Sequence, residues 1–128
     1  MKNSWRIILL SIILSGCDPW QGIQITPGKT INASIVLYFN SNPFKYTQMP
    51  KVIRVSNTDT CCNKEFTLGF GIGVWDKASL NVFTQTVDSI IITHEGKETR
   101  LKQKDEVQIY FTKHLSGFAK SFIHIDVE

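Results

Sequence analysis

The sequence predicts an all-β domain: a small antiparallel β-sandwich, immunoglobulin-like or related, of about 7–9 strands. Three observations point there. Apolar and polar residues alternate over several short runs, the period-two mark of a strand with one wet face. Turn signals recur about every ten residues. Beyond residue 16, no segment shows a convincing helical period.

The elements follow in order. In "INASIVLYFN", Ile31, Ala33, Ile35, Leu37 and Phe39 share one face, and Asn32, Ser34 and Tyr38 the other. "SNPFKYTQMP" breaks the pattern with two prolines. "KVIRVSN" turns Ile53 and Val55 inward and Arg54 outward, and a polar loop follows. "VDSIIITHEGKETRLK" reads as a hairpin, in which Gly96 can supply the positive φ of a tight turn. "EVQIYFT" reads as a strand with Val107, Ile109 and Phe111 on one face. "FAKSFIHIDVE" directs Ile123, Ile125 and Val127 inward and leaves His124 and Asp126 outside.

"EFTLGFGIGVW" is less regular. Gly69, Gly71 and Gly73 fall on one face of a strand, opposite Leu68, Phe70, Ile72 and Val74. Three glycines on one face suggest a bend, a bulge or a close backbone approach. A flat glycine face can also receive an aromatic side chain or strand from a partner, which makes Phe70 and Trp75 candidate interface residues. Trp20, Phe44 and Tyr46 are further candidate anchors. For Trp75 packing is the favoured reading. The glycine spacing lacks the G-x-G-x-x-G pattern and helix start of a nucleotide site.

The N-terminus has three zones. Met1 to Arg6 carries Lys2 and Arg6 and no acid, Ile7 to Leu14 is apolar except for Ser11, and Ser15 and Gly16 are small. This is the layout of a signal peptide. The apolar run is far shorter than the about 20 residues of a membrane span. Leu14-Ser15-Gly16-Cys17 resembles the lipobox of bacterial lipoproteins. The resemblance implies that the Cys17 sulfur accepts a diacylglyceryl group, that the chain is cut after Gly16, and that the new α-amine is acylated. Asp18 resembles the inner-membrane retention signal of enteric-type lipoproteins. The expected organisation is a cleaved signal peptide over 1–16, a lipidated tether over 17–28 and a β-sandwich domain over 29–128.

Composition then narrows the function. Cleavage leaves 112 of the 128 residues. Of 14 basic residues, Lys2 and Arg6 leave with the signal peptide, so 12 remain against 11 acidic ones and the net charge is near +1. A nucleic-acid binder usually shows a basic face or a high isoelectric point, and nothing in this balance supports that reading. Cys61 and Cys62 are adjacent and face an oxidising compartment. They are candidates for a vicinal disulfide, for two reduced thiols, or for bonds to another chain. No ligand spacing around them indicates a metal, and no cofactor motif is present.

No catalytic residue is assigned. His94, His114 and His124 are scattered. Asp126 shares a face with His124, and Tyr110 on a neighbouring strand would complete an acid-base set, but a solvated sheet face is the favoured reading. Ser116-Gly117 reads as a turn and Asp105-Glu106 as a charged lead-in. The expectation is therefore a non-catalytic, lipid-anchored protein of the bacterial cell envelope, facing the periplasm, with the inner membrane favoured over the outer. Its partners are membrane lipid, through acylated Cys17, and another protein, as for an immunity or inhibitor protein. The alternative is a structural or pilot component of an envelope assembly. A cell-wall enzyme ranks last.

Overall fold

A computed structural model of the chain describes residues 19–41, 49–57 and 65–128. Cys17, Asp18, Cys61, Cys62, Phe44 and Tyr46 lie outside these residues. Among the described residues, eight strands form two four-stranded sheets, a small β-sandwich with two α-helices added. The strands are β1 (Trp20–Pro27), β2 (Ala33–Phe39), β3 (Val52–Asn57), β4 (Phe66–Ile72), β5 (Val87–His94), β6 (Lys97–Leu101), β7 (Leu115–Ser116) and β8 (Phe122–Val127). The helices are α1 (Lys77–Thr86), between β4 and β5, and α2 (Lys104–Lys113), between β6 and β7. The first sheet has the order β4-β1-β8-β7 and the second β3-β2-β5-β6. All ladders are antiparallel except β1–β8, which is parallel.

Alternation builds the core. Ile23 and Ile25 of β1 sit beside Ile123 and Ile125 of β8, all buried. Ala33, Ile35, Leu37 and Phe39 of β2 and Ile53 and Val55 of β3 close the second face. Val87 and Ile90 of β5 are both buried although an odd spacing separates them. A register shift resolves this: Tyr38 pairs with Ser89 but Phe39 with Val87, so Asp88 is an extra residue that resets the pleat. In the hairpin between β5 and β6, Glu95 (φ 49°) and Gly96 (φ 78°) form the turn and His94 pairs with Lys97.

Three sequence expectations are corrected. Residues 20–27 were expected in the tether, yet they form β1, a central strand. Pro19, Gly22, Pro27 and Gly28 suggest a linker, but Ile23 and Ile25 bury fully and outweigh them. Glu106 to Thr112 was expected as a strand and is helical within α2. Val107 and Phe111, the buried pair, satisfy a spacing of four in a helix as well as the period of a strand. The residue that separates the two readings is Ile109, which is exposed. The third correction is α1, where no helix was expected. Asp76 caps it by accepting from the Ser79 amide at 2.7 Å, and Leu80, Phe83 and Thr84 bury at helical spacing.

The helices close one side of the core through aromatic rings. Phe83 stands 5.0 Å from Trp75, 5.2 Å from Phe111, 5.7 Å from Phe70 and 6.0 Å from Phe39, centroid to centroid. At the end of α1 the Lys104 ammonium donates to the carbonyls of Thr84, Gln85 and Val87. The carbonyls of Thr84 and Gln85 lie in the last turn of α1, at the negative end of the helix dipole, so a cation there is favourable.

Candidate functional site

An open groove of about 630 Å³ runs along the helix pair. Its floor is apolar: Leu80 from α1, Leu115 from β7 and an edge of Trp75, with Ile109 from α2 as a wall. Ile109 is 55% exposed. The rim carries Lys77, Lys113 and Lys120, with Asp76 and Asp105 among them. An apolar floor inside a charged margin is the anatomy of a protein-binding surface. The fold places these residues firmly. Asp76 and Ser79 fix the start of α1, Phe83 and Phe111 bind the two helices into the core, and the Trp75 amide donates to the Lys120 carbonyl at 3.0 Å.

The two candidate interface aromatics fare differently from what exposure would require. Trp75 is 3% exposed, and its indole N–H donates to the Gly22 carbonyl at 3.0 Å. It is a packing residue, as favoured, and reaches the surface only as groove floor. Phe70 is half-buried, edge-on to Trp75 with centroids 5.5 Å apart. The glycine-rich strand does carry a bulge: Gln21 pairs with Gly71 and Gly22 with Gly69, which leaves Phe70 as the extra residue. Of the three glycines, Gly69 is covered from within the chain, and Gly71 faces open space. The Trp20 indole lies against Gly69, so close that a Cβ there would stand 2.2 Å from Nε1.

The acid-base set comes together only in part. His124 Nε2 lies 3.3 Å from Asp126 Oδ1 and 3.3 Å from Thr26 Oγ1, and the Thr26 hydroxyl donates to Asp126. Tyr110 belongs to α2 and packs against His114, with ring centroids 4.4 Å apart and planes inclined at 42°. Burial pushes the Tyr110 hydroxyl up to about 12, far above any pH at which it would serve as a base. His114 Nδ1 donates to the Tyr110 carbonyl at 2.7 Å, which fixes that ring as part of the helix end. His94 sits at the hairpin turn, 3.9 Å from Glu95.

Among the described residues no group of three His, Cys, Asp or Glu side chains comes together to hold a metal, and no helix is long and apolar enough to cross a membrane. Sequence reasoning missed Leu80, Ile109, Lys113 and Lys120 as site residues. The available signal was Asp76 followed by Leu80 and Phe83, a cap ahead of helical spacing. Comparison of the chain with protein-family models, with curated proteins and with solved structures finds no match in any of the three.

Proposed function

We propose that the chain is a lipid-anchored protein of the bacterial envelope whose β-domain faces the periplasm and binds another protein without catalysing a reaction. The observation that carries the binding half is the groove along α1 and α2, with Ile109 exposed above a floor of Leu80 and Leu115 and lysines at its margin. The anchoring half rests on Leu14-Ser15-Gly16-Cys17. Two acyl chains or more give stable attachment where one gives only marginal binding. A small domain held at the membrane suits an immunity or inhibitor protein that meets its target at the periplasmic face.

A photo-activated cross-linker placed at residue 109 of the full-length chain, in its native host, tests the binding surface. One protein of defined mass should be captured there, and none from residue 99 on the exposed β6. Equal capture from both positions, or none from 109, rejects the groove as the binding surface. For the anchor, Cys17→Ser should abolish lipid labelling and leave an uncut precursor.

A further inference from the structure

We propose that the end of the first sheet carrying Trp20, Ile72 and Phe118 sits in the interface of the lipid bilayer itself. The inference rests on the reading of Cys17 as the acylated residue and adds to it an orientation for the whole domain.

These three side chains are among the most exposed large apolar groups of the fold: Trp20 56%, Ile72 70% and Phe118 71%. They lie far apart in sequence and fall at one end of one sheet. Trp20 and Ile72 are direct partners across the β1–β4 ladder, so their side chains share a face. Phe118 belongs to the turn that enters β8, whose first residue, Phe122, pairs with Gly22. The Gly22 amide also donates to the Ser121 carbonyl at 3.0 Å, which fixes this turn beside the start of β1.

Three observations select lipid as the occupant. The first is reach. Because β1 begins at Trp20, only Asp18 and Pro19 separate it from Cys17. Three residue steps span about 10 Å at full extension. A domain attached to acyl chains through so short a link keeps this end within headgroup depth. The second is residue type. Tryptophan is favoured at the membrane interface, with its ring among the headgroups. Lys120, exposed two residues after Phe118, has the long apolar stem and charged tip that let a lysine reach a lipid phosphate. The third is the turn itself. Gly117 (φ 79°), Ala119 (φ 52°) and Lys120 (φ 59°) all adopt left-handed backbone, and two of them lack the glycine that would relieve it. The fold tolerates that strain, and the result is a phenylalanine held out at the same end as Trp20.

The orientation also bears on the groove. Lys120 lines the groove and stands at the end that faces the bilayer, so a protein entering the groove would approach along the membrane surface.

Tryptophan emission tests the contact. The processed chain loses Trp5 and keeps Trp20 and Trp75. The acylated chain is placed in vesicles of phosphatidylethanolamine and phosphatidylglycerol, with and without bromine on the acyl chains. Brominated lipid should extinguish most of the Trp20 emission, and Trp20→Phe should leave only the unquenched Trp75 signal. A double variant, Ile72→Glu with Phe118→Glu, should restore Trp20 emission in brominated vesicles and open it to acrylamide. An acylated chain whose Trp20 ignores brominated lipid and is quenched by acrylamide overturns the proposal and leaves the anchor standing. Shielding of Trp20 that needs a second protein rather than lipid also overturns it. A chain whose intact mass retains residue 1 and carries no lipid overturns the anchor and the orientation together.

Discussion

The indole N–H of Trp75 donates to the Gly22 carbonyl oxygen at 3.0 Å, joining the lead-in to α1 to the central strand β1 of the first sheet. The bond is buried and spans 53 positions of sequence. A buried carbonyl without a donor costs more than the bond itself contributes. Trp75→Phe keeps a ring in the cluster with Phe70 and Phe83 and removes only the donor and some volume. It should lower the unfolding free energy by about 1–3 kcal/mol, read as a shift in urea midpoint with unchanged slope. A midpoint equal to that of the unsubstituted chain would show that the bond adds nothing.

Gly69 and Trp20 make a coupled pair. A methyl group at Gly69 would meet the Trp20 ring at 2.2 to 2.9 Å, so Gly69→Ala must displace the indole. In the presence of Trp20 the substitution should cost about 1 kcal/mol or more, as overpacking does. With Trp20→Ala the obstruction is gone, and the preference of a strand for alanine over glycine takes over. The same substitution should then stabilise by about 0.5–1 kcal/mol. A double-mutant cycle by chemical denaturation measures the change of sign. Additive effects would mean that the ring does not rest on Gly69 in solution.

Lys104 tests the end of α1. Its ammonium meets the carbonyls of Gln85 at 3.2 Å and Thr84 at 3.5 Å, and that of Val87 as well. Lys104→Met retains the stem and deletes the charge. The loss should be about 1 kcal/mol, and it should shrink as salt is added, because the interaction is half-exposed and screened. A loss that is independent of salt would assign the role of Lys104 to packing alone.

The sheets were legible in the sequence and the helices were not, for one reason. β2, β3, β5 and β8 each turn one face to the core, so period two survives in the residues, and β6, exposed along most of its length, is marked by the Gly96 turn instead. β1 hides Ile23 and Ile25 among prolines and glycines that normally mark a tether. In α2, Val107 and Phe111 fit a strand and a helix equally, and the decisive exposure of Ile109 is a tertiary fact. In α1, β-branched and aromatic residues, Val82, Phe83, Thr84 and Thr86, disguise a helix that is set by its cap and by burial of Phe83. Since the groove is made by these two helices, it was hidden with them. The bulge in β4 was legible, because three glycines on one face leave few other uses. That Trp20 would cover Gly69 was not, since nothing local links positions 20 and 69.

Asp76 allows the cap to be tested through pH. The Ser79 hydroxyl beside it and the Ser79 amide, which donates to Oδ1 at 2.7 Å, hold its carboxyl below the usual carboxylate range. A carboxyl depressed in the folded chain adds stability above its unfolded value, near 3.9, and loses it as pH falls through the lower folded value. Asp76→Ala should therefore lower the melting temperature at pH 7 and make progressively less difference as pH falls through the folded value of the aspartate. Asp76→Asn separates charge from hydrogen bonding. Asparagine caps a helix about as well as aspartate, so it should recover most of the melting temperature at pH 7 and remove the contribution of this position to the acid limb. Melting curves of the three chains between pH 2 and pH 7 decide the matter. If Asp76→Ala and Asp76→Asn track each other across the range, the cap is not what starts α1, and the wall of the groove that Asp76 borders is held by Leu80 and Phe83 alone.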